Sequence, residues 1–404
     1  MTKNLWTYLR GDKGIWVIVL ILSVFSLLAI YSSTGTLAYK EQHGNTEYYV
    51  LKHFLLLCFG LVIMYVAHNI KYVYYSRISQ LLLIIAIPAL IYALFFAAQV
   101  NDAGRWIALP GINLSFQPSD IAKLALVMYI ARILAKEKDR IKERGPFLHI
   151  LGATFLVCGL IFPANFSTSA LVFLTAIVMM FIGQIKMRYI FSTLAVCVTG
   201  LLLMGAFMVL MPKDRLNEMG RMGTWAARIE RFAKPGEINE DFQAEQAKIA
   251  IASGGLLGKM PGNSTQRNIL PHPYSDFIYA IIIEEYGFVG GLGVLMLYIM
   301  LMFRAVSISR KCEGTFGSYL VLGIAFLLVV QAFVNMAVAV GLIPVTGQVL
   351  PFLSMGGTSL WLTSLGVGIM LSVSVDVQLK GENIDIAPPQ TAEEIAQEMG
   401  IENN

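Results

Sequence analysis

The chain of 404 residues is 56% hydrophobic and only 14% charged. A water-soluble domain carries roughly 25% charged residues, so composition argues against a soluble enzyme, a disordered chain or a coiled coil, and for a polytopic membrane protein. A net charge of +4, with no Lys/Arg tract interleaved with aromatics, argues against nucleic acid as a partner.

About 20 apolar residues cross the roughly 30 Å of bilayer hydrocarbon as a helix. Runs of that kind lie near 14–33, 51–68, 79–98, 118–135, 148–164, 167–184, 189–211, 277–304, 318–341 and 358–376. The predicted fold is therefore an all-α polytopic membrane protein with ten transmembrane helices. One long extracytoplasmic loop, 212–275, separates the seventh helix from the eighth. The first run lacks a small-residue cleavage site and reads as an uncleaved anchor. Residues 1–376 form the membrane domain, and the acidic stretch 377–404, with Pro388-Pro389, reads as a flexible cytoplasmic tail. Cys58, Cys158 and Cys197 fall inside apolar runs and Cys312 in a short basic loop, without metal-ligand spacing, so no redox role is assigned to them.

Lys and Arg orient the bundle. With the N-terminus inside, the cytoplasm receives Lys3, Arg10, Lys13, the basic cluster 136–144, Lys186, Arg188, Arg304, Arg310 and Lys311, while the short outer loops keep Lys40, Lys52 and Arg105. The long loop is also basic, but long segments translocate regardless of charge. Both termini are expected in the cytoplasm.

In this orientation the even-numbered helices begin at the outer face, where unpaired N–H groups and partial positive charge accumulate. Four of those starts carry unusual polar sequence. The fourth helix follows Asn101-Asp102-Ala103-Gly104-Arg105-Trp106 and opens with Gln117-Pro118-Ser119-Asp120, with Lys123 one turn in. The sixth opens with Asn165-Phe166-Ser167-Thr168. The eighth opens with Tyr274-Ser275-Asp276 and carries Glu284-Glu285, and the tenth opens with Ser354-Met355-Gly356-Gly357-Thr358-Ser359. Such a ring, with Arg and Lys, suits a lipid-linked phosphate or pyrophosphate. Taken singly, Ser119, Ser167, Asp276 and Thr358 are also good N-caps, and Asp120 and Lys123 can neutralise each other. Glu284 and Glu285 are harder to explain away, since each costs roughly 2.5–3.5 kcal/mol near mid-membrane unless paired or wet. In the long loop, 241–252 reads as an amphipathic helix, and the glycines after it read as tight turns more readily than as a phosphate cradle.

These motifs together resemble the SEDS family, the bacterial shape, elongation, division and sporulation proteins. The resemblance is carried by Gly104-Arg105-Trp106, Phe116-Gln117-Pro118-Ser119-Asp120 with Lys123, Gly262-Asn263-Ser264 with Gln266, Asp276-Phe277-Ile278, Gly341-Leu342-Ile343-Pro344 and Gly356-Gly357-Thr358-Ser359, and it spans residues 14–376. It implies a peptidoglycan glycosyltransferase that polymerises lipid II at the outer face of the bacterial cytoplasmic membrane, closer to the division branch than to the elongation branch. An elongation role, a lipid II flippase and a non-catalytic division scaffold are the alternatives.

The implied catalytic base is Asp276. Arg105 and Lys123 would neutralise the pyrophosphate, with Asp120 orienting Lys123 and Gly356, Gly357 and Thr358 offering backbone donors. Gln117, Ser119, Gln246, Asn263 and Ser354 complete the expected substrate-binding set. The resemblance also implies a class B penicillin-binding transpeptidase and other division proteins as partners, and lipid II and undecaprenyl-pyrophosphate-linked glycan as substrates. A divalent cation, Mg or Mn, is compatible with Asp276, but no ligand cluster compels it. Three departures stand out: Asp120 replaces the family's usual Glu, Ala164-Asn165-Phe166-Ser167 replaces Pro-Asp-x-Gly, and Tyr274 stands where a His is usual, with His272 in another register.

Overall fold

The computed structural model describes residues 9–35, 37, 39, 45–96, 107–109, 114–212, 223, 226, 242–270 and 273–386. In chain order its elements are α1 (Lys13–Ser33), α2 (Thr46–Asn69), α3 (Tyr72–Phe96), β1 (Ile107–Leu109), β2 (Leu114–Phe116), α4 (Pro118–Lys136), α5 (Arg144–Ile161), α6 (Phe166–Ile182), α7 (Met187–Leu210), α8 (Phe242–Gly254), α9 (Ile278–Lys311), α10 (Thr315–Ala339) and α11 (Thr358–Ile386). Eight of these helices are long and apolar enough to cross a membrane: α1, α2, α3, α5, α7, α9, α10 and α11. The fold is that of an all-helical polytopic membrane protein. α6 is shorter than a full span, and α4 carries Asp120, Lys123, Arg132 and Lys136.

Three details depart from the sequence expectation. A two-stranded antiparallel hairpin precedes α4, with Ile107 opposite Phe116 and Leu109 opposite Leu114. α9 continues to Lys311 because its last turns carry Arg310 and Lys311, which suit a helix C-terminus. α11 continues to Ile386, so the start of the predicted tail at Val377 is helical. There Lys380 pairs with Glu313 at 3.0 Å and with Asp376 at 3.5 Å. The rest of the predicted tail lies outside the described residues.

α4 and α10 sit at the centre. α4 packs against α3 and α10, and α10 also touches α6, α9 and α11. Nearly every α4 side chain from Pro118 to Leu134 is buried, including Asp120 and Lys123. α7 lies at the periphery: only Ile190, Thr193 and Met208 are buried, while Phe191, Leu202, Leu203, Val209 and Leu210 face outward. Lipid tails solvate such a surface as well as another helix would, so helix pairs in this setting rely on close packing. α11 meets α2 in that way, for a Cβ at Gly368 would stand 2.7 Å from the Met64 carbonyl oxygen.

α9 is broken at Gly287, whose φ of +70° is open to glycine without strain. The carbonyls of Glu284 and Glu285, left without helical partners, accept from the N–H groups of Lys259 (2.9 Å) and Met260 (3.0 Å). In return the N–H groups of Phe288 and Val289 donate to the carbonyls of Gly255 (2.9 Å) and Leu256 (3.3 Å). The long loop thus enters the helix break as a substitute turn, satisfying groups that lipid could not.

Candidate functional site

The N-terminal turn of α4 opens the site. Asp120 Oδ1 pairs with Lys123 Nζ at 2.8 Å, and both side chains are buried. Lys123 Nζ also donates to Gln331 Oε1 on α10 at 3.1 Å. An ammonium has three N–H groups, so these contacts leave one to offer. Asp120 Oδ2 is buried without a hydrogen-bond partner. Asp120, Lys123 and Gln331 line a cavity of about 20 Å³ with Ser359 and Thr363 of α11. A buried pair of this kind is costly to desolvate, and in a membrane helix it marks function more often than stability.

Asp276 sits half-buried just before α9, whose N-cap is Phe277. Its backbone is held at consecutive carbonyls. Met355 N–H donates to Tyr274 O at 2.9 Å, Ser354 Oγ to Ser275 O at 2.6 Å, and Asn335 Nδ2 to Asp276 O at 3.0 Å. Ser275 Oγ donates to Asp276 Oδ1 at 3.1 Å. The clamp is itself fixed. In the turn 350–354 Phe352 has a φ of +63°, a conformation that costs a bulky residue about 1–3 kcal/mol unless its surroundings impose it. Those surroundings are Tyr298, whose hydroxyl donates to Pro351 O, and Ser26, whose Oγ donates to Leu353 O at 2.9 Å while lying 2.8 Å from His53 Nε2.

Glu284 and Glu285 serve a different end from a substrate pocket. Glu284 Oε1 accepts from Lys259 Nζ (2.7 Å), Thr265 N (3.1 Å) and Thr265 Oγ1 (2.9 Å), and Oε2 accepts from Ser264 Oγ and from Gln266 N (3.3 Å). Glu285 accepts from Ser32 Oγ of α1, which also receives Arg267 Nη1 at 3.1 Å. Both carboxylates therefore bind the loop 259–267 to α9 and α1. The loop glycines serve close approach too: a Cβ at Gly258 would lie 2.2 Å from Glu285 O, and one at Gly254 would lie 2.1 Å from Ile283 O.

The remaining predicted residues divide. Ser354 belongs to the Asp276 clamp. Thr358 is buried at the start of α11, after Gly356 and Gly357, the latter at φ +51°. Gln117 and Ser119 bond each other at 2.8 Å and line a separate crevice of about 20 Å³ with Asn165 and Leu160. Asn263 is exposed and closes its own turn through Lys259 O at 3.0 Å, and Gln246 is half-buried on α8. Arg105 lies outside the described residues. Several capping expectations are corrected. Gln117 and Asn165 occupy the N-cap positions of α4 and α6, and Asn165 Oδ1 accepts from Thr168 N at 3.2 Å, so Ser119 and Ser167 lie inside their helices. Asp276 precedes the N-cap of α9 instead of occupying it.

Residues the sequence reading passed over complete the site. Gln331 Nε2 donates to Val349 O at 3.0 Å, Asn335 Nδ2 to Gln348 O at 2.7 Å, and Gln348 Nε2 to Thr168 Oγ1 at 2.7 Å. Their one signal was a pair of amides four residues apart in an otherwise apolar helix. Among the described residues no group of three or more His, Cys, Asp or Glu gathers to hold a metal ion.

The comparisons with known proteins agree with this architecture. The FtsW/RodA/SpoVE family of cell cycle proteins matches residues 12–379. The chain belongs to that family. It is 32% identical over 378 residues to the probable peptidoglycan glycosyltransferase FtsW of Geobacter sp. (strain M18), covering 90% of this chain and 96% of the relative. It is 31% identical over 374 residues to stage V sporulation protein E of Bacillus subtilis (strain 168), covering 90% and 96%. Among solved structures, a chain of a peptidoglycan synthase complex that coordinates polymerisation and crosslinking superimposes with a TM-score of 0.73, over 91% of this chain and 98% of that one. Thermus thermophilus RodA, a rod shape determining protein, gives 0.64 over 92% and 98%. Both are 22% identical to this chain, so they establish the family's fold here.

Proposed function

We propose that the protein is a peptidoglycan glycosyltransferase of the FtsW type, polymerising lipid II at the outer face of the bacterial cytoplasmic membrane during cell division. The observation that carries this reading is the Asp276 seat. A half-buried carboxylate is held through three successive backbone carbonyls, and the helix that holds it also contacts Lys123. In the reaction, the 4-hydroxyl of the acceptor's N-acetylglucosamine attacks the anomeric carbon of the donor chain's N-acetylmuramic acid. The bond to the pyrophosphate oxygen breaks and its electron pair leaves with undecaprenyl pyrophosphate. The hydroxyl proton passes to Asp276, and inversion gives a β-1,4 link. A general base must come within about 2.6–3.2 Å of the proton it takes, and a carboxylate on a rigid backbone is suited to that.

Charge grows on the leaving pyrophosphate, and a preorganised cation stabilises it best where water is excluded. The free N–H of Lys123 serves this role beside Arg105, with Asp120 and Gln331 fixing the ammonium, and Gly356, Gly357 and Thr358 presenting N–H groups at the start of α11. Gln117, Ser119, Gln246, Asn263 and Ser354 complete the substrate contacts in this assignment. A divalent cation of the Mg or Mn type takes one or two carboxylates and substrate phosphate oxygens; Asp276 would be its protein carboxylate, it would supply neutralising charge, and no step above depends on it.

In this reading α4 and α6 complete a ten-span bundle within residues 1–376, with 212–275 outside the cell and both termini in the cytoplasm. The partner is a class B penicillin-binding transpeptidase within the division machinery, in keeping with the polymerisation and crosslinking coordinated by the complex that shares this fold. Sealed vesicles with the extracytoplasmic face outward test the assignment. Labelled lipid II in the outer leaflet should become polymer without crossing. Movement of label to the inner leaflet with no polymer would establish the flippase instead.

A further inference from the structure

Gln331 and Asn335 lie four residues apart on α10 and so share one face. Gln331 accepts from Lys123 at 3.1 Å and donates to Val349 O at 3.0 Å. Asn335 donates to Gln348 O at 2.7 Å and to Asp276 O at 3.0 Å. Two amides on one helical turn thus grip adjoining carbonyls of a single strand of chain, and one amide reaches Lys123 while the other reaches Asp276. Both side chains are buried, where an amide is costly unless bonded; Gln331 is bonded at both ends, whereas Asn335 donates twice from Nδ2 and its Oδ1 has no partner. Two carbonyl acceptors around Asn335 fix which end of its amide faces them.

Plain interhelical adhesion does not describe these contacts. Polar residues that glue membrane helices bond across from helix to helix. Apart from Lys123, the partners here are loop carbonyls, at 276, 348 and 349. We propose that Gln331 and Asn335 are positioning residues that keep the Lys123 ammonium and the Asp276 carboxylate in register across the reacting anomeric carbon. The inference rests on the roles proposed above for Asp276 and Lys123. In an inverting displacement the hydroxyl proton is lost on one side of that carbon while charge grows on the other, within one transition state. The base and the cation therefore need a fixed separation, and an ångström of misplacement costs about 100-fold in rate. A single turn of a central, buried helix fixes it.

The test is steady-state polymerisation of lipid II by the full-length protein with its transpeptidase partner, comparing wild type with Gln331→Met, Gln331→Glu and Asn335→Ala. Gln331→Met and Asn335→Ala should lower kcat about tenfold or more, with KM within about twofold, because only the transition state needs the alignment. Gln331→Glu keeps the acceptor for Lys123 but loses the N–H that Val349 O receives, so it should recover only part of the loss, standing about threefold or more above Gln331→Met. A packing role predicts the opposite order, since Met suits an apolar helix and a buried carboxylate does not. A Met variant as active as wild type, or more active than the Glu variant, overturns the proposal. If wild type itself makes no strands, the polymerase reading fails, and this inference with it.

Discussion

Asp276 is held mainly through its backbone neighbourhood, with Ser275 Oγ also donating to its carboxylate. Ser354 is the clearest of the side chains that hold it, since its hydroxyl donates to Ser275 O and accepts from Leu350 N at 2.8 Å. Ser354→Ala leaves both groups unsatisfied at about 1–3 kcal/mol each, so thermal unfolding in detergent should move to lower temperature and kcat should fall more than KM rises. Glu284 is a second test. Glu284→Ala removes the shared acceptor of Ser264 Oγ, Thr265 N and Gln266 N, at about 1–3 kcal/mol for each buried group left unsatisfied, while the half-exposed Lys259 turns to water. The expected result is protein that no longer withstands extraction. Asp276 and the Asp120–Lys123 pair stood out in the sequence because each lies in a recognisable motif at or just before the start of an apolar helix. The work of Glu284 did not, since its partners at 259–266 lie in a different segment, and periodicity carries no information about which loop folds back onto which carboxylate.

At the scale of elements, the break in α9 could not be read in advance. Gly287 sits inside an apolar run, and only the backbone exchange with 255–260 explains why the helix opens there. Gly258 and Gly262 separate the two uses of glycine. A Cβ at Gly258 would meet backbone at 2.2 Å, whereas one at Gly262, at φ +83°, meets nothing within 4 Å. Gly262→Ala should therefore cost only the conformational strain of about 1–2 kcal/mol. Gly258→Ala should displace the loop from α9, read as faster proteolysis of the segment 242–270 and loss of polymerisation. Equal behaviour of the two variants would mean that the loop does not depend on this contact. The helix expected at 241–252 is observed as α8 at Phe242–Gly254, but it buries the small residues Ala247, Ala250 and Gly254 and leaves Phe242 and Ile249 exposed, so it lacks the expected amphipathic face. The helix ends at Lys311 and Ile386 were less visible, since polar residues continue a helix beyond the apolar run that defines a span.

The whole molecule is a bundle with its charged pair at the centre and its apolar surface outside. Composition announced the apolar surface, and the orientation proposed above rests on the distribution of Lys and Arg. A reporter active only in the cytoplasm should work when fused after Asn404 and stay silent when inserted in 212–241; activity at both places would contradict the proposed topology. α4 carries Lys123, α10 touches both Lys123 and the Asp276 carbonyl, and the clamp at 350–355 joins the start of α11 to the base. The account depends most on one carboxylate turning this bundle into a polymerase. The decisive measurement is strand formation from labelled lipid II by the purified protein with its transpeptidase, wild type beside Asp276→Ala. Long glycan strands from wild type and none from a folded variant are predicted. Strands of equal length and yield from Asp276→Ala would contradict the account.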